Sequence, residues 1–81
     1  MKAIVHVTLK PDVLDPQGKA IQKASVSLGH EGVSSVRQGK MFEIELDAAD
    51  EPAARRLLEE LCDKLLANPV IEDYAIVRLE T

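Results

Sequence analysis

Few side chains in this 81-residue sequence could take part in catalysis: there is one cysteine, and there are two histidines. Cys62 falls among leucines spaced as on a helix, and an apolar setting raises the pKa of a thiol and makes it unreactive. His6 lies in a strand pattern, and His30 lies in a glycine-containing turn. Because a zinc site needs three or four ligands at characteristic spacings, these residues predict core and surface positions instead of a metal or nucleophilic site.

The acidic residues predict a solvated surface. Glu43 and Glu45 alternate with the apolar residues of one extended segment, which is the ordinary pattern of a strand with one face toward water. A general acid–base pair needs two titratable groups brought to one reacting proton, and this spacing indicates none. We therefore expect no catalytic, cofactor-binding or metal-binding residue in this chain.

Charge and composition argue against several classes of function. The net charge is −4, whereas nucleic-acid binding needs a basic surface that displaces counterions. Phe42 and Tyr74 are too few to form a base-stacking sheet. No apolar run approaches the roughly 20 residues of a membrane span, and the chain begins with a strand pattern, not a signal peptide. A lone cysteine fits the reducing cytoplasm.

The hydrophobic pattern predicts two helices among extended segments. Each helix begins where an aspartate can cap it and a proline follows closely. The first helix carries an apolar stripe of Ile21, Ala24 and Leu28, and Gly29 ends it. The predicted elements are a strand at 2–10, a helix from Asp15-Pro16 to about Leu28, an extended segment at 33–47, a helix from about Asp50 to Asn68-Pro69, and a strand at 70–79.

Residues 33–47 leave two interpretations open. Gly39-Lys40 interrupts the apolar series and indicates either a tight hairpin turn between two strands or a bulge in one long bent strand. We favour the hairpin, because long unbroken strands are rarer. The sequence then predicts a single domain over residues 1–81 with an α+β fold of β-α-β-β-α-β order. This is a split βαβ, ferredoxin-like two-layer sandwich with an antiparallel sheet and two helices on one face.

The sheet face opposite the helices is a candidate interface. The residues expected on it are Ile4, His6 and Thr8 of the first strand and Tyr74, Ile76 and Arg78 of the last. A mixed face of this kind is either exposed to water or covered by a second subunit. Because so small a domain gains little stability from one core, and one cysteine cannot form an internal disulfide, we expect subunits to pair.

The turns between residues 9 and 40 contain the remaining candidates. Lys10, Arg37 and Lys40 sit at strand ends or turns, where each either binds a phosphate or a partner carboxylate or is simply solvated. Asp15 is a helix cap. Gly18 lowers the helix propensity of the first turn, so its presence needs a reason, and close approach of another backbone is one.

Three motifs together resemble a known family. They are V-x-L-K-P-x-V-L-D-P-Q-G-x-A-I at 7–21, S-L-G-x-E-G-V-x-x-V-R-x-G-K at 27–40 and L-L-A-N-P-V-I-E-D-Y at 65–74. The chain is similar, over nearly its whole length, to the PurS family, the small subunits of phosphoribosylformylglycinamidine synthase. The combination of the three motifs is specific, whereas any one of them alone would be weak.

The resemblance implies a non-catalytic assembly subunit of a purine-biosynthesis complex. Such a subunit dimerises, bridges a glutaminase subunit to a large synthetase subunit and assists ammonia transfer between them. ATP and Mg²⁺ are expected in the synthetase, with no cofactor on this chain. The positions that match the family pattern are partner-contact or turn-shaping candidates: Lys10, Asp15, Gln17, Gly18, Arg37, Gly39 and Lys40.

Two other classes of function compete with this interpretation. A small-molecule-binding regulatory domain can have the same strand–helix order, and its ligand would lie at a subunit boundary framed by the D-P-Q-G and R-Q-G-K turns. A small enzyme on a similar scaffold would need an anion cradle and a positioned nucleophile or water. The sequence indicates no such set, so the assembly subunit is the preferred interpretation.

Overall fold

β1 (Lys2–Leu9) is the central strand of a three-stranded antiparallel sheet in this computed structural model, which describes residues 1–80. β2 (Gly39–Glu45) pairs along one edge of β1, and β3 (Glu72–Glu80) pairs along the other. The strand order β2-β1-β3 therefore leaves β2 and β3 as the two edges of the sheet. Thr81, the last residue of the predicted domain, lies outside the described residues.

Both helices begin as the sequence predicted. α1 (Pro16–Ser27) has Asp15 as its N-cap, and α2 (Glu51–Leu61) has Asp50, whose carboxylate accepts a hydrogen bond of 2.9 Å from the Ala53 N–H. In each case the aspartate satisfies an N–H group that the first turn leaves unpaired. α2 continues as a π-helical turn at Cys62–Leu66, and the backbone becomes extended at Ala67, before Pro69.

The core lies between the sheet and α2. Its buried members come from β1, α2, the π-helical turn and the residue after that turn, and no residue of α1 belongs to it. These members are Ala3, Val5, Val7, Leu58, Cys62 and Ala67. Phe42 and Ile44 of β2 pack against this cluster and are only half-buried. The sequence pattern predicted both helices on one face of the sheet, but α2 is the one described helix that packs against it.

The α+β class, the antiparallel sheet and the two helices of the predicted fold are confirmed, and they are consistent with a ferredoxin-like fold. The prediction of a hairpin at Gly39-Lys40 is wrong, because residues 33–38 form no strand and Gly39 is the first residue of β2. The chain therefore has three strands within residues 1–80, where four were predicted. Residues 36–38 pass across the first turn of α1, where the Gln38 N–H bonds to the Asp15 side chain instead of to a neighbouring strand.

The predicted members of the open sheet face need one correction. Tyr74 and Ile76 pack against the core, because the register between β1 and β3 shifts within β3. Ile76 pairs with Val5 and Arg78 pairs with Ile4, which leaves Val77 without a partner on β1. A bulge of this kind reverses the alternation of side chains beyond it. Arg78 consequently does lie on the open face with Ile4.

α1 and residues 28–38 form an arm that projects from the sheet. The radius of gyration is 16.0 Å and the principal extents are 51 × 25 × 14 Å, whereas a compact chain of this length has a radius of gyration of about 12 Å. Gly18 is the one buried residue of α1. The described helices include none that is long and apolar enough to span a membrane.

Candidate functional site

The arm, defined as residues 16–38, is fixed to the sheet at one junction. Asp15 lies at the centre of this arm junction and is 4% exposed. One of its carboxylate oxygens accepts a 2.9 Å hydrogen bond from the Gly18 N–H, and the other accepts a 2.6 Å hydrogen bond from the Gln38 N–H. These hydrogen bonds, that of Gln38 first, hold the pKa of Asp15 below its ordinary value. A single carboxylate therefore joins the start of the arm to its end.

Gly18 is required at the junction because another backbone passes directly over it. A Cβ atom placed on Gly18 would collide with the carbonyl oxygen of Val36 and would lie 2.8 Å from the Asp15 Oδ2 atom. The structure thus supplies the close backbone approach that a glycine in the first turn of a helix suggested. Any larger residue here would push residues 36–38 away from α1.

Arg37 also holds the end of the arm, by bonding to the backbone at the end of β1. Its Nη2 atom donates hydrogen bonds of 2.8 Å to the Lys10 carbonyl and 3.4 Å to the Leu9 carbonyl. Both carbonyls belong to the chain just where β1 ends, and the Lys10 carbonyl also accepts a 2.9 Å hydrogen bond from the Val13 N–H. The guanidinium therefore ties the end of the arm to the backbone that leaves β1. One nitrogen of the guanidinium makes both contacts, and the bond to the Lys10 carbonyl is the shorter and stronger of the two.

Gly39 begins β2 in close contact with β1. A Cβ atom at this position would lie 2.7 Å from Thr8 Cγ2 and 2.8 Å from the Val7 carbonyl oxygen. The dihedral angles of Gly39 are not in the left-handed region, since Gly29 is the one residue with positive φ in the described chain. Gly39 therefore serves close packing of two strands and not a tight turn.

Two ion pairs flank the junction on β3. Lys10 Nζ lies 2.7 Å from Asp73 Oδ1, and Lys40 Nζ lies 3.7 Å from Glu72 Oε2. The Lys10–Asp73 pair is exposed at both partners and contributes at most about 1 kcal/mol, whereas the Glu72 side chain of the longer pair is 13% exposed. Glu72 and Asp73 were not among the sequence candidates, although both fall within the third family motif. Gln17 and Lys40 line a shallow cleft of about 280 Å³ beside Glu72.

The side chains that could do chemistry are dispersed. Cys62 is buried in the core, where burial raises the pKa of its thiol, with the nearby Asp63 and Glu59 carboxylates acting in the same direction. His6 is exposed on the open sheet face, and His30 is exposed in the turn after α1. Within residues 1–80 no group of three or more His, Cys, Asp or Glu side chains is placed to hold a metal ion.

All seven predicted candidates lie at the arm junction or on the cleft beside it. Four of them, at positions 15, 18, 37 and 39, contact backbone atoms and fix how the arm leaves the sheet. The other three, at positions 10, 17 and 40, have side chains on the surface of the junction. The fold and this site define a small ferredoxin-like module whose polar groups shape an exposed arm.

Comparison with known proteins assigns this module to a family. The sequence pattern of PurS, described as phosphoribosylformylglycinamidine (FGAM) synthase, matches residues 2–80. A curated relative, the PurS subunit of phosphoribosylformylglycinamidine synthase from Synechocystis, is 53% identical over 70 residues, which is 86% of this chain and 70% of the relative. A second, from Mycobacterium leprae, is 49% identical over 77 residues, which is 95% of this chain and 94% of the relative.

A solved structure shares the fold closely. The Methanocaldococcus jannaschii PurS, described as one of the subunits of formylglycinamide ribonucleotide amidotransferase, superposes with a TM-score of 0.85 at 43% identity and covers 98% of both chains. The chain belongs to the PurS family, and it is a subunit of the FGAM synthase of purine biosynthesis.

Proposed function

We propose that this chain is the assembly subunit that bridges the glutaminase and synthetase subunits of FGAM synthase and assists ammonia transfer between them. The observation that supports this proposal most directly is a structure of PurLQS from Thermotoga maritima. One of its chains is 27% identical to this one, superposes with a TM-score of 0.85, and is covered over 99% of its length. The reaction itself then belongs to the partner subunits, and ATP and Mg²⁺ bind to the synthetase.

The surface of the chain supports contacts with other proteins. Leu28, Leu65 and Val70 are 78%, 74% and 79% exposed. A partner that covers such exposed leucine and valine side chains gains a binding free energy of about 25 cal/mol for each Å² of apolar surface removed from water. Leu28 follows α1 on the arm, whereas the other two lie at the end of the π-helical turn and in the loop before β3. The chain therefore offers apolar contacts on more than one of its elements.

Bridging has a chemical reason in a glutamine-dependent reaction. Ammonia released from glutamine is lost by diffusion or by protonation unless it reaches the second site directly. Holding two sites in fixed register and excluding water between them protects such an intermediate. A rigidly anchored arm suits this role, because a flexible one would not fix the register. We place this complex in the cytoplasm, in keeping with the single reduced cysteine.

The seven candidate residues take two roles in this proposal. Asp15, Gly18, Arg37 and Gly39 shape the arm junction, and their substitution would weaken assembly by displacing the arm. Lys10, Gln17 and Lys40 present polar groups at the surface of the junction, so they are the candidates for direct contact with a partner. The distinction predicts that substitutions in the first group will lower the stability of the isolated chain more than substitutions in the second.

Reconstitution tests the proposed function. The purified chain alone should show neither glutaminase nor ATP-dependent synthase activity. Added to the glutaminase and synthetase subunits of the same organism, it should raise glutamine-dependent FGAM formation at least tenfold and have much less effect with ammonium as the nitrogen source. Equal stimulation of both reactions, or none, would refute a role in ammonia transfer. Saturable calorimetric binding of an amino acid or nucleotide to the chain alone would instead favour a regulatory ligand-binding domain.

A further inference from the structure

A groove runs along the arm between α1 and the extended segment that returns to the sheet. Its volume is about 270 Å³, and none of its lining residues belongs to a strand. In this arm groove one wall is the face of α1 that carries Lys19, Gln22 and Lys23, and the other wall is residues 34–37. The proposed assembly role uses the arm as a rigid projection and gives this groove no task.

Hydrogen bonds at both ends fix the width of the arm groove. At one end, Gln22 Nε2 donates a 3.1 Å hydrogen bond to the Val33 carbonyl. At the other end, the Gln38 N–H donates a 2.6 Å hydrogen bond to the Asp15 carboxylate. The two walls are therefore in place before a ligand enters, so binding costs little conformational entropy.

The arm groove concentrates positive charge in a chain whose net charge is −4. Lys19, Lys23 and Arg37 line it, and Asp15 is the one carboxylate among its described lining residues. Asp15 is 4% exposed and each of its oxygens already accepts a backbone hydrogen bond. The groove therefore attracts anions, although the protein as a whole repels them.

The cations of the arm groove have no anionic partner of their own. Lys19 and Lys23 form no ion pair among residues 1–80. Arg37 bonds to backbone carbonyls through Nη2, which leaves its Nε and Nη1 atoms without a hydrogen-bond acceptor in the described chain. Three side chains thus have donors and charge available for a ligand.

Lys19 and Lys23 also repel each other. They lie four residues apart on α1, a spacing at which like charges destabilise a helix, and residues 16–27 include no acidic side chain to offset the repulsion. α2 differs, because Arg55 lies four residues after Glu51 and pairs with it at 3.4 Å. An anion bound beside both ammonium groups of α1 would remove the repulsion between them.

The arm groove stays accessible when the apolar face of α1 is covered. The stripe of Ile21, Ala24 and Leu28 lies on the opposite side of the helix from the two lysines, because an α-helix has about 3.6 residues per turn. A protein that docks on the stripe therefore leaves the lysines open to a dissolved ligand.

We propose that the arm groove binds the phosphate group of a small phosphate monoester, which goes beyond the assembly role. Three cations suit a phosphate dianion better than a carboxylate, which carries one charge and two oxygens. The exposed Ser34 and Ser35 add hydroxyl donors on the second wall. Leu14 lines the groove and is 62% exposed, so it offers an apolar contact to the carbon atoms of the ester. The groove is smaller than the roughly 300–1,000 Å³ of sites for drug-sized molecules, which favours a sugar phosphate.

Calorimetric titration of the full chain with ribose 5-phosphate tests the proposal. At low ionic strength and neutral pH, binding should saturate with a Kd of about 1 mM or tighter. Inorganic phosphate should compete for the same site, whereas ribose should not bind. In amide nuclear magnetic resonance spectra, ribose 5-phosphate should shift the signals of Lys19, Lys23 and residues 34–37.

A pair of charge-matched variants separates the groove from general attraction. The Lys19→Gln/Lys23→Gln variant should bind ribose 5-phosphate at least about tenfold more weakly, because it loses two charge-assisted contacts. The Arg55→Gln/Lys64→Gln control removes two positive charges from another exposed surface and should bind within about twofold of the unaltered chain. Arg37 is retained in both, since it also holds the end of the arm.

Several outcomes would overturn the proposal. Titration that does not saturate, or an equal loss of affinity in both double variants, would indicate general attraction of an anion to surface lysines. Ribose that binds as tightly as its phosphate would contradict phosphate recognition. If the chain binds neither phosphate compound but the Lys19→Gln/Lys23→Gln variant fails in reconstitution, an acidic segment of a partner subunit is the occupant instead. The bridging role is tested separately, by reconstitution with the unaltered chain.

Discussion

Replacing Gly18 with alanine should destabilise the chain, although helix propensity alone predicts the opposite. Alanine in place of glycine inside a helix normally stabilises by about 1 kcal/mol. At this position, however, the new methyl group would collide with the Val36 carbonyl and crowd the Asp15 carboxylate. The two effects differ in sign, so the direction of the change identifies which one dominates.

The magnitude depends on the nature of the atoms that must move. Overpacking a filled site costs about 1–3 kcal/mol, and the upper part of that range applies where the obstacle is backbone. Subtracting the gain of about 1 kcal/mol in helix propensity leaves a net loss of about 2 kcal/mol. For a domain of this length, such a loss lowers the melting temperature by roughly 10 °C.

Urea unfolding followed by circular dichroism is the appropriate assay, at one fixed protein concentration because self-association adds to apparent stability. Ser25→Ala is the matched control, since it lies in the same helix and removes only a hydroxyl bonded to the Ile21 carbonyl. The control should be unchanged or slightly more stable. A Gly18→Ala chain as stable as its parent would show that Val36 does not press against α1.

Three further predictions concern titration, reactivity and the core. Because hydrogen bonds lower the pKa of Asp15 in the folded chain, the stability they confer is present above the ordinary value near 3.8 and is lost as the pH falls through the lower folded pKa; Asp15→Asn should reduce the difference in urea midpoint between pH 7 and pH 2.5, and an undiminished difference would contradict this. Cys62 should react with a thiol reagent at pH 8 at least a hundredfold more slowly in the folded chain than in 8 M urea, because burial raises the pKa of its thiol; comparable rates would place it at the surface. Leu58→Ala should lower the unfolding free energy by about 2–5 kcal/mol, since Leu58 is fully buried, whereas the exposed Leu65→Ala should change it by less than about 0.5 kcal/mol.

The sequence was sufficient for features that depend on neighbouring residues. Asp15 and Asp50 each precede a proline closely and cap a helix, as capping chemistry requires. The leucine periodicity of residues 54–66 likewise predicted the second helix. Both helices were expected on one face of the sheet, whereas α2 alone packs against the core. Gly18 was recognised as a position that needed an explanation, and the collision with Val36 provides it.

Features that depend on pairing between distant segments were not predictable. The bulge at Val77 reversed the expected direction of Tyr74 and Ile76, and nothing in the alternation of β3 marks where a register shift will fall. Residues 33–38 were likewise predicted as part of an extended strand, yet they form none, because whether such a segment pairs depends on the availability of a sheet edge. The ion pairs at Glu72 and Asp73 also join residues that are more than thirty positions apart.

The π-helical turn after α2 decides which leucine meets the solvent. The Ala67 N–H bonds to the Cys62 carbonyl at 3.0 Å, five residues back instead of four, so the turn contains one residue more than the α-helix would. That extra residue rotates the helical phase at the end of the helix. Leu65 is turned outward as a result, although its place in the leucine repeat would direct it inward. Deleting one residue from this turn would restore the α-helical period and direct the Leu65 side chain toward the core. The surface would then lose an apolar contact for a partner protein, although its amino-acid composition would hardly change.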